Sequence, residues 1–259
     1  GLVPGPPEFP PGWGIRMLTV DFDRLPVGPG DRVLDMGCGA GRHAFALYRT
    51  GADVVALDMD AAELRNVADI FTAMDEAGEV PPGATAAVVR GDAYQLPFPD
   101  DSFDRIVAAE ILEHLPQDSV AMAELFRVLK PGGRIAVSVP RWLPEKLCWA
   151  LSDEYHEVEG GHIRIYKGTV LTDRLTATGL VHVENHHAHA LHAPYWWLKC
   201  AVGVHSQNHQ LVKAYHRLLV WDMMKAPAAT RIAERALNPV IGKSLVVYLR
   251  KPELAHAPA

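Results

Sequence analysis

The chain has 259 residues, 49% of them hydrophobic, which is enough for one large α/β domain with insertions and excludes wholesale disorder. No run approaches the roughly 20 apolar residues needed to cross a bilayer, and a net charge of -6 argues against a nucleic-acid partner. Three scattered cysteines (Cys38, Cys148, Cys200) make no disulfide framework, so a cytoplasmic protein is expected.

The charge is uneven along the chain. Residues 1–120 hold 20 acids against 8 bases, the remainder 11 against 17, and 11 of the 13 histidines follow position 140. The second half suits a polar or anionic ligand, or simply presents a different solvated face.

In chain order, GLVPGPPEFPPGW (1–13) is too rich in proline and glycine for a helix or central strand and is expected as a flexible arm. An apolar pattern of helical type runs from 14 to 25 and leads to the turn VGPGD. Strands and helices then alternate: RVLDM (32–36), the helix GRHAFALYRTG closed by Gly51, ADVVALDMD, and the amphipathic helix AAELRNVADIFTAMDEAG ending at Gly78. AAVVRGD and FDRIVAAE read as strands three and four. DSVAMAELFRVLKPGG reads as a helix with Asp118 placed to cap it, and GRIAVSVP (133–140) as strand five.

This alternation implies right-handed crossovers and a parallel sheet with helices on both faces. After Pro140 the rhythm breaks. A segment rich in tryptophan and charge (141–168) precedes the helix TVLTDRLTATG, the strand-like VHVENHHA (181–188) follows, and KSLVVYLRK (243–251) is expected as a closing edge strand. The largely helical stretch between those last two is too long for a hairpin loop and reads as a lid, a homodimer arm, or both. The expected organisation is a single domain over 14–252, insertions at about 141–168 and 188–243, and a tail at 253–259.

The turn after strand one, VLDMGCGAG (33–41), sets glycine at 37, 39 and 41. Such a turn can adopt positive φ and bring backbone N–H groups to a ligand at the carboxyl ends of the strands. The dinucleotide fingerprint G-x-G-x-x-G is not met, because its sixth position is Arg42. Asp35, two residues before the glycines, is awkward beside a pyrophosphate and useful beside a cation. Asp58 ends strand two, where an acid accepts hydrogen bonds from ribose hydroxyls. Asp92 follows strand three, where it can accept from an adenine amine. An amine, a ribose and an adenine without phosphate describe S-adenosylmethionine.

On these motifs the stretch from about 32 to 140 resembles the class I S-adenosylmethionine-dependent methyltransferases, in the subgroup that includes ubiquinone and menaquinone methyltransferases. VLDMGCGAG matches the family's first motif, ALDMD its ribose-binding acid, GDAYQLPFPDDSFDRIVAAEILEHL its adenine and fourth-strand segment, and RVLKPGG its turn into strand five. The resemblance implies a Rossmann-like, seven-stranded, mostly parallel sheet whose final strand is antiparallel and inserted between its neighbours, with a helical C-terminal insertion added here. It implies cofactor contacts from Asp35, Gly37, Cys38, Gly39, Gly41, Asp58, Met59, Asp92 and Ala93, with Glu110 lining the site.

His114, in AEILEHLPQD, is the candidate general base for a hydroxyl acceptor, as in similar bacterial enzymes acting on sugars; a histidine that only positions backbone is the alternative. Those enzymes carry a helper acid just after strand five, where this chain has Val139, Pro140 and Arg141. Help would come from Asp153, Glu154, His156 or His162, which read equally as a solvated turn.

Candidate acceptor contacts are Trp142, Glu154, His156, His162, Tyr195 and Trp196, since aromatic faces stack on sugars and also simply pack. In ENHHAHALH (184–192), His187 and His189 would share one strand face. No paired metal motif is present, so no metal ligands are assigned, and Mg2+ beside vicinal sugar hydroxyls stays open without a motif.

The last third also is similar to actinobacterial sugar O-methyltransferases, including those of methylmannose polysaccharide synthesis. The expected function is O-methylation of a sugar or glycan hydroxyl on a small-molecule or oligosaccharide acceptor. The alternatives are C-methylation of a quinone or lipid-like ring, and an inactive regulator that binds S-adenosylhomocysteine.

Overall fold

The computed structural model describes residues 18–155, 161–167, 169–203, 209–225 and 227–253. The expected arm at 1–13 and all but the first residue of the expected tail lie outside them.

Five strands, β1 (Arg32–Met36), β2 (Asp53–Asp58), β3 (Ala86–Arg90), β4 (Phe103–Ala109) and β5 (Leu129–Pro140), run parallel. With β6 (Val181–Ala188) and β7 (Ser244–Arg250) they form one seven-stranded sheet in the order β3-β2-β1-β4-β5-β7-β6. β7 is antiparallel to both of its neighbours.

Side-chain alternation along β1 explains the layers. Leu34 and Met36 face a core completed by Leu125 of α3 (Asp118–Val128) and Leu171 of α5 (Val170–Ala177). Val33 faces the opposite core, with Phe45 of α1 (Arg42–Tyr48) and Phe71 of α2 (Ala61–Glu76). Each fully buried leucine or phenylalanine contributes roughly 1.5–3 kcal/mol. The chain beyond β5 adds α4 (Trp142–Leu151), α6 (Ala193–Val202), α7 (Gln210–Lys225) and α8 (Ala228–Ile241), with α6 packed on α4.

Four expectations are corrected. The segment 18–25 is a series of turns, not a helix, because tertiary partners take its N–H groups. Thr19 N–H donates to His43 Nε2 at 3.2 Å and Asp21 N–H to the Tyr248 hydroxyl at 2.8 Å. KSLVVYLRK is not the edge its own pattern suggested but the inserted antiparallel strand that the family resemblance implied: β7 lies between β5 and β6, its Val246, Val247 and Leu249 are fully buried, and β6 takes the edge. His189 does not share a strand face with His187, because β6 ends at Ala188 and His189 turns to φ 65°.

Asp118 does not cap α3 either; Gln117 stands at that position. The buried Asp118 carboxylate instead takes the Tyr166 hydroxyl at 2.6 Å, Arg164 at 2.6 Å, and Arg174. It thereby ties α3 to α5 and to the segment before it. Burial pushes the Asp118 pKa up, but the Tyr166 and Arg164 hydrogen bonds and the arginine charges outweigh it and leave the pKa below the ordinary value. A lowered folded-state pKa means stability that is present above the unfolded value and lost as pH falls through the folded one. Asp118→Asn should therefore cost about 1–3 kcal/mol near neutral pH. In urea melts the gap to the parent chain should close as pH drops below about 4.

Candidate active site

The site lies at the carboxyl ends of β1 to β5. Pairing β1 with both β2 and β4 sets the ends Asp35, Asp58 and Glu110 along one rim, with Asp92 just beyond β3. The turn after β1 is compact: Gly37 and Cys38 N–H both donate to the Leu57 carbonyl, at 2.8 and 3.0 Å. At Gly41 (φ 80°) a Cβ would sit 2.6 Å from the Phe45 ring and 2.9 Å from Val67, so only glycine lets α1 and α2 close. At Gly39 (φ 50°) a Cβ would meet nothing within 4 Å, and backbone there borders open space a ligand can enter.

Asp35 is 2% exposed, and its Oδ2 has no hydrogen-bond partner among the described residues. Burial raises its pKa to about 7, against the pull of the Ala44 N–H and the Arg42 charge. An orphaned buried carboxylate oxygen is costly alone and well matched to an ammonium group. Asp58 accepts from Gly39 N–H (2.8 Å) and Asp60 N–H (2.9 Å), fixing its carboxylate at the rim. Asp92 accepts from Tyr94 N–H at 2.9 Å, and Ala93 is buried beside it. Met59 is 65% exposed and shares a cavity of about 270 Å³ with Arg90 and Gly91.

Glu110 sits at φ 56°, a conformation unusual for a residue with a side chain. Its Oε1 accepts from the Ser138 hydroxyl at 2.9 Å, so β5 holds it in place. Cys38 is buried and its thiol pKa is pushed up by burial and by the nearby Asp35 and Asp58, which makes it a packing residue with no thiolate. The glycines and acids named from sequence thus gather at the carboxyl ends of β1 to β4, and the orphaned Asp35 oxygen and the open space at Gly39 fit S-adenosylmethionine.

Past Glu110 a short 3-10 turn, Leu112–His114, carries His114. Its Nδ1 lies 3.2 Å from the Gly161 carbonyl, which only accepts, so Nδ1 bears the proton and Nε2 the lone pair. Nε2 lies 3.9 Å from Glu113 Oε1, and the ring centroid is 5.0 Å from that of His162. His162 Nδ1 is in turn 2.5 Å from Glu145 Oε1. Glu145, 1% exposed, also accepts from Trp149 Nε1 and the Tyr155 hydroxyl, each at 3.2 Å. Burial opposes its charge, but the His162 bond and charge and the Lys243 charge prevail, and its pKa is lowered. Glu113 is fully buried, neither of its oxygens has a hydrogen-bond partner among the described residues, and burial with the Glu110 charge raises its pKa.

The structure therefore gathers His114 and His162 with two acids, Glu113 and Glu145, that were not singled out in the sequence. Glu145 carried a signal: on α4 it shares the buried face with Pro144 and Cys148, an odd place for a charge. Glu154 and Asp153 stay exposed on the turn Asp153–Tyr155, and His156 lies outside the described residues. Trp196 packs against Tyr155 (5.7 Å) and Tyr195 (5.8 Å), with Lys199 and Lys243 each 5.3 Å from its ring, near the Glu145 end of the cluster. Trp142 instead lies between Lys146 and Lys167.

Two groups among the described residues bring metal-type donors within 4.8 Å of one another: Glu113, His114 and His162, and His189, His192 and Glu234. Each has two imidazoles and one carboxylate, unlike the all-oxygen set Mg2+ favours. The rest of the histidine run disperses, with Glu184 ion-paired to Arg24 and His186 stacked on Tyr248.

A family model described as a methyltransferase domain matches residues 34–137. The chain is 38% identical over 141 residues to the methyltransferase GfsG of Streptomyces halstedii, covering 53% of this chain and 49% of that protein. It is 34% identical over 146 residues to a sterol 24-C-methyltransferase of Yarrowia lipolytica, covering 56% and 34%. The chain therefore spans about half or less of the curated relatives it matches. Its fold is similar to that of geranyl diphosphate methyltransferase solved in complex with S-adenosylmethionine, with a TM-score of 0.58 and 17% identity over 89% of this chain and 82% of that one. Residues 34–137 thus match a methyltransferase domain of the type 11 group, and they are seated in a seven-stranded sheet whose orphaned Asp35 oxygen and open Gly39 backbone fit S-adenosylmethionine.

Proposed function

We propose that the chain transfers a methyl group from S-adenosylmethionine to a hydroxyl of a sugar or glycan, with His114 as the proton acceptor. The observation that carries this reading is the chain of contacts from His114 through His162 to the buried Glu145. When bound, the cofactor supplies an electrophilic methyl on its sulfonium; what the protein adds is alignment of the acceptor oxygen and a place for its proton. With Nδ1 turned to the Gly161 carbonyl, Nε2 is the nitrogen that takes that proton. The charge then formed on His114 is supported at one remove by the ionised Glu145, which holds His162 beside it.

Glu145 does the work of the helper acid absent after β5. It reaches the cluster from α4, one step removed, by holding His162. A carbohydrate acceptor is supported by the faces of Trp196 and Tyr155 set beside lysines and carboxylates, a mixture of flat apolar surface and polar edge suited to a sugar ring. In this reading the helical insertion covers the acceptor, since α6 brings Trp196 to Tyr155. A second reading, C-methylation of a lipid-like ring, takes its support from the name of the sterol relative.

An assay of S-adenosylhomocysteine release against sugars, manno-oligosaccharides, phenols, quinones and sterols separates the two readings. Turnover on sugars supports the first, and turnover confined to quinones or sterols overturns it. His114→Ala should lower kcat/KM by about 10²- to 10⁴-fold, with cofactor affinity unchanged in a titration. Glu145→Gln should lower kcat by about 10-fold and leave the KM for the cofactor unchanged, and a variant with full kcat would remove Glu145 from the mechanism.

A further inference from the structure

Arg42 is the residue that breaks the dinucleotide fingerprint. In the structure it opens α1, directly after Gly41, and lies half-buried in the cleft wall beside Asp35 and Glu110. Its Nη2 donates to the Thr19 hydroxyl at 3.2 Å, and no carboxylate among the described residues forms a salt bridge with it.

The sheet order fixes which end of the cofactor lies here. Asp58 and Asp92, on the β2 and β3 side, take the ribose and adenine, so the amino-acid end falls over β1 and β4, between Asp35 and Glu110. That end is a zwitterion. Its ammonium has acids to meet, including the orphaned Asp35 oxygen. Its carboxylate needs a cation, because a desolvated anion without a partner is costly.

Among the described residues the other cations near the rim are engaged elsewhere: Arg90 donates to the Met59 carbonyl at the adenine side, Arg141 Nη1 donates to the Val240 carbonyl at 2.8 Å, and Lys243 lies over the Trp196 ring. Arg42 is the cation set beside Asp35 and Glu110. Its support is rigid: Thr19 and Val20 N–H donate to His43 Nε2 at 3.2 and 3.4 Å, and the Thr19 hydroxyl is 3.0 Å from His189 Nε2. The guanidinium is therefore aimed by the segment preceding β1, and not only by its own helix.

We propose that Arg42 binds the α-carboxylate of the cofactor's methionine end, while Asp35 answers its ammonium, so that the pair reads the amino acid as a zwitterion. A guanidinium presents the planar donor fork that a carboxylate accepts on both oxygens. The pair makes the site selective for S-adenosylmethionine over its decarboxylated form, which keeps the sulfonium and the amine but lacks the anion.

Calorimetric titration of the whole chain with S-adenosylmethionine and with decarboxylated S-adenosylmethionine, without acceptor, tests this. Arg42→Gln should weaken S-adenosylmethionine by about 10- to 100-fold and leave the decarboxylated ligand nearly unchanged. Asp35→Asn should weaken both. Arg42→Lys, which keeps the charge and lacks the fork, should show a smaller loss confined to S-adenosylmethionine, and it serves if the glutamine variant does not fold. Equal losses for both ligands in the Arg42 variants, or no loss for S-adenosylmethionine, would overturn the proposal.

Discussion

Everything at the site depends on β1 pairing with β2 on one side and β4 on the other. That is the place where the strand order reverses, and there the loops leaving neighbouring strands part and open a crevice. The pairing brings Asp35, Asp58 and Glu110 to a common rim although they are spread over 76 positions of the chain, and no local preference could do that. It also forces the turn after β1 to be tight, since Gly37 and Cys38 must reach the Leu57 carbonyl. Glycine spacing, acid placement and the entry of α1 all follow from that one constraint.

The carboxylates at the rim are kept in different states by their surroundings. Asp35 is buried with an oxygen left over, and its charge is disfavoured until a cation arrives. Asp58 has backbone N–H groups on both oxygens and is held ready as an acceptor. Glu113, fully buried beside another acid, resists ionisation, whereas the equally buried Glu145 is satisfied by His162, Trp149 and Tyr155 and stays ionised. Burial is nearly the same for these last two; hydrogen-bond donors make the difference.

The helical additions do what the sheet alone cannot. Pairing of α4 with α6 brings Glu145, Tyr155 and Trp196 to one side of the cleft, and the segment 161–167 adds His162 from elsewhere. None of these residues lies in the 34–137 stretch shared with the family. The strand-end acids, the glycine turn, His114 and Glu113 lie inside that stretch, and His162 and Glu145 join them from outside it.

By itself the sequence determined the sheet's parallel portion, the glycine turn and the acids at the strand ends, because each is encoded locally: apolar runs of strand length, glycine where φ is positive, an acid one step past a strand. The internal place of β7 followed from the family resemblance and not from the strand's own pattern. Only the tertiary structure decided that 18–25 is a strap of turns, that Asp118 joins arginines instead of capping its helix, and that Glu145 backs His162. In each of these the partner is distant in the chain: Thr19 from His43, Asp118 from Tyr166, Glu145 from His162. A residue's own neighbours announce its backbone preference, but the partner its side chain meets is set by packing, and that is where the chemistry of this site resides.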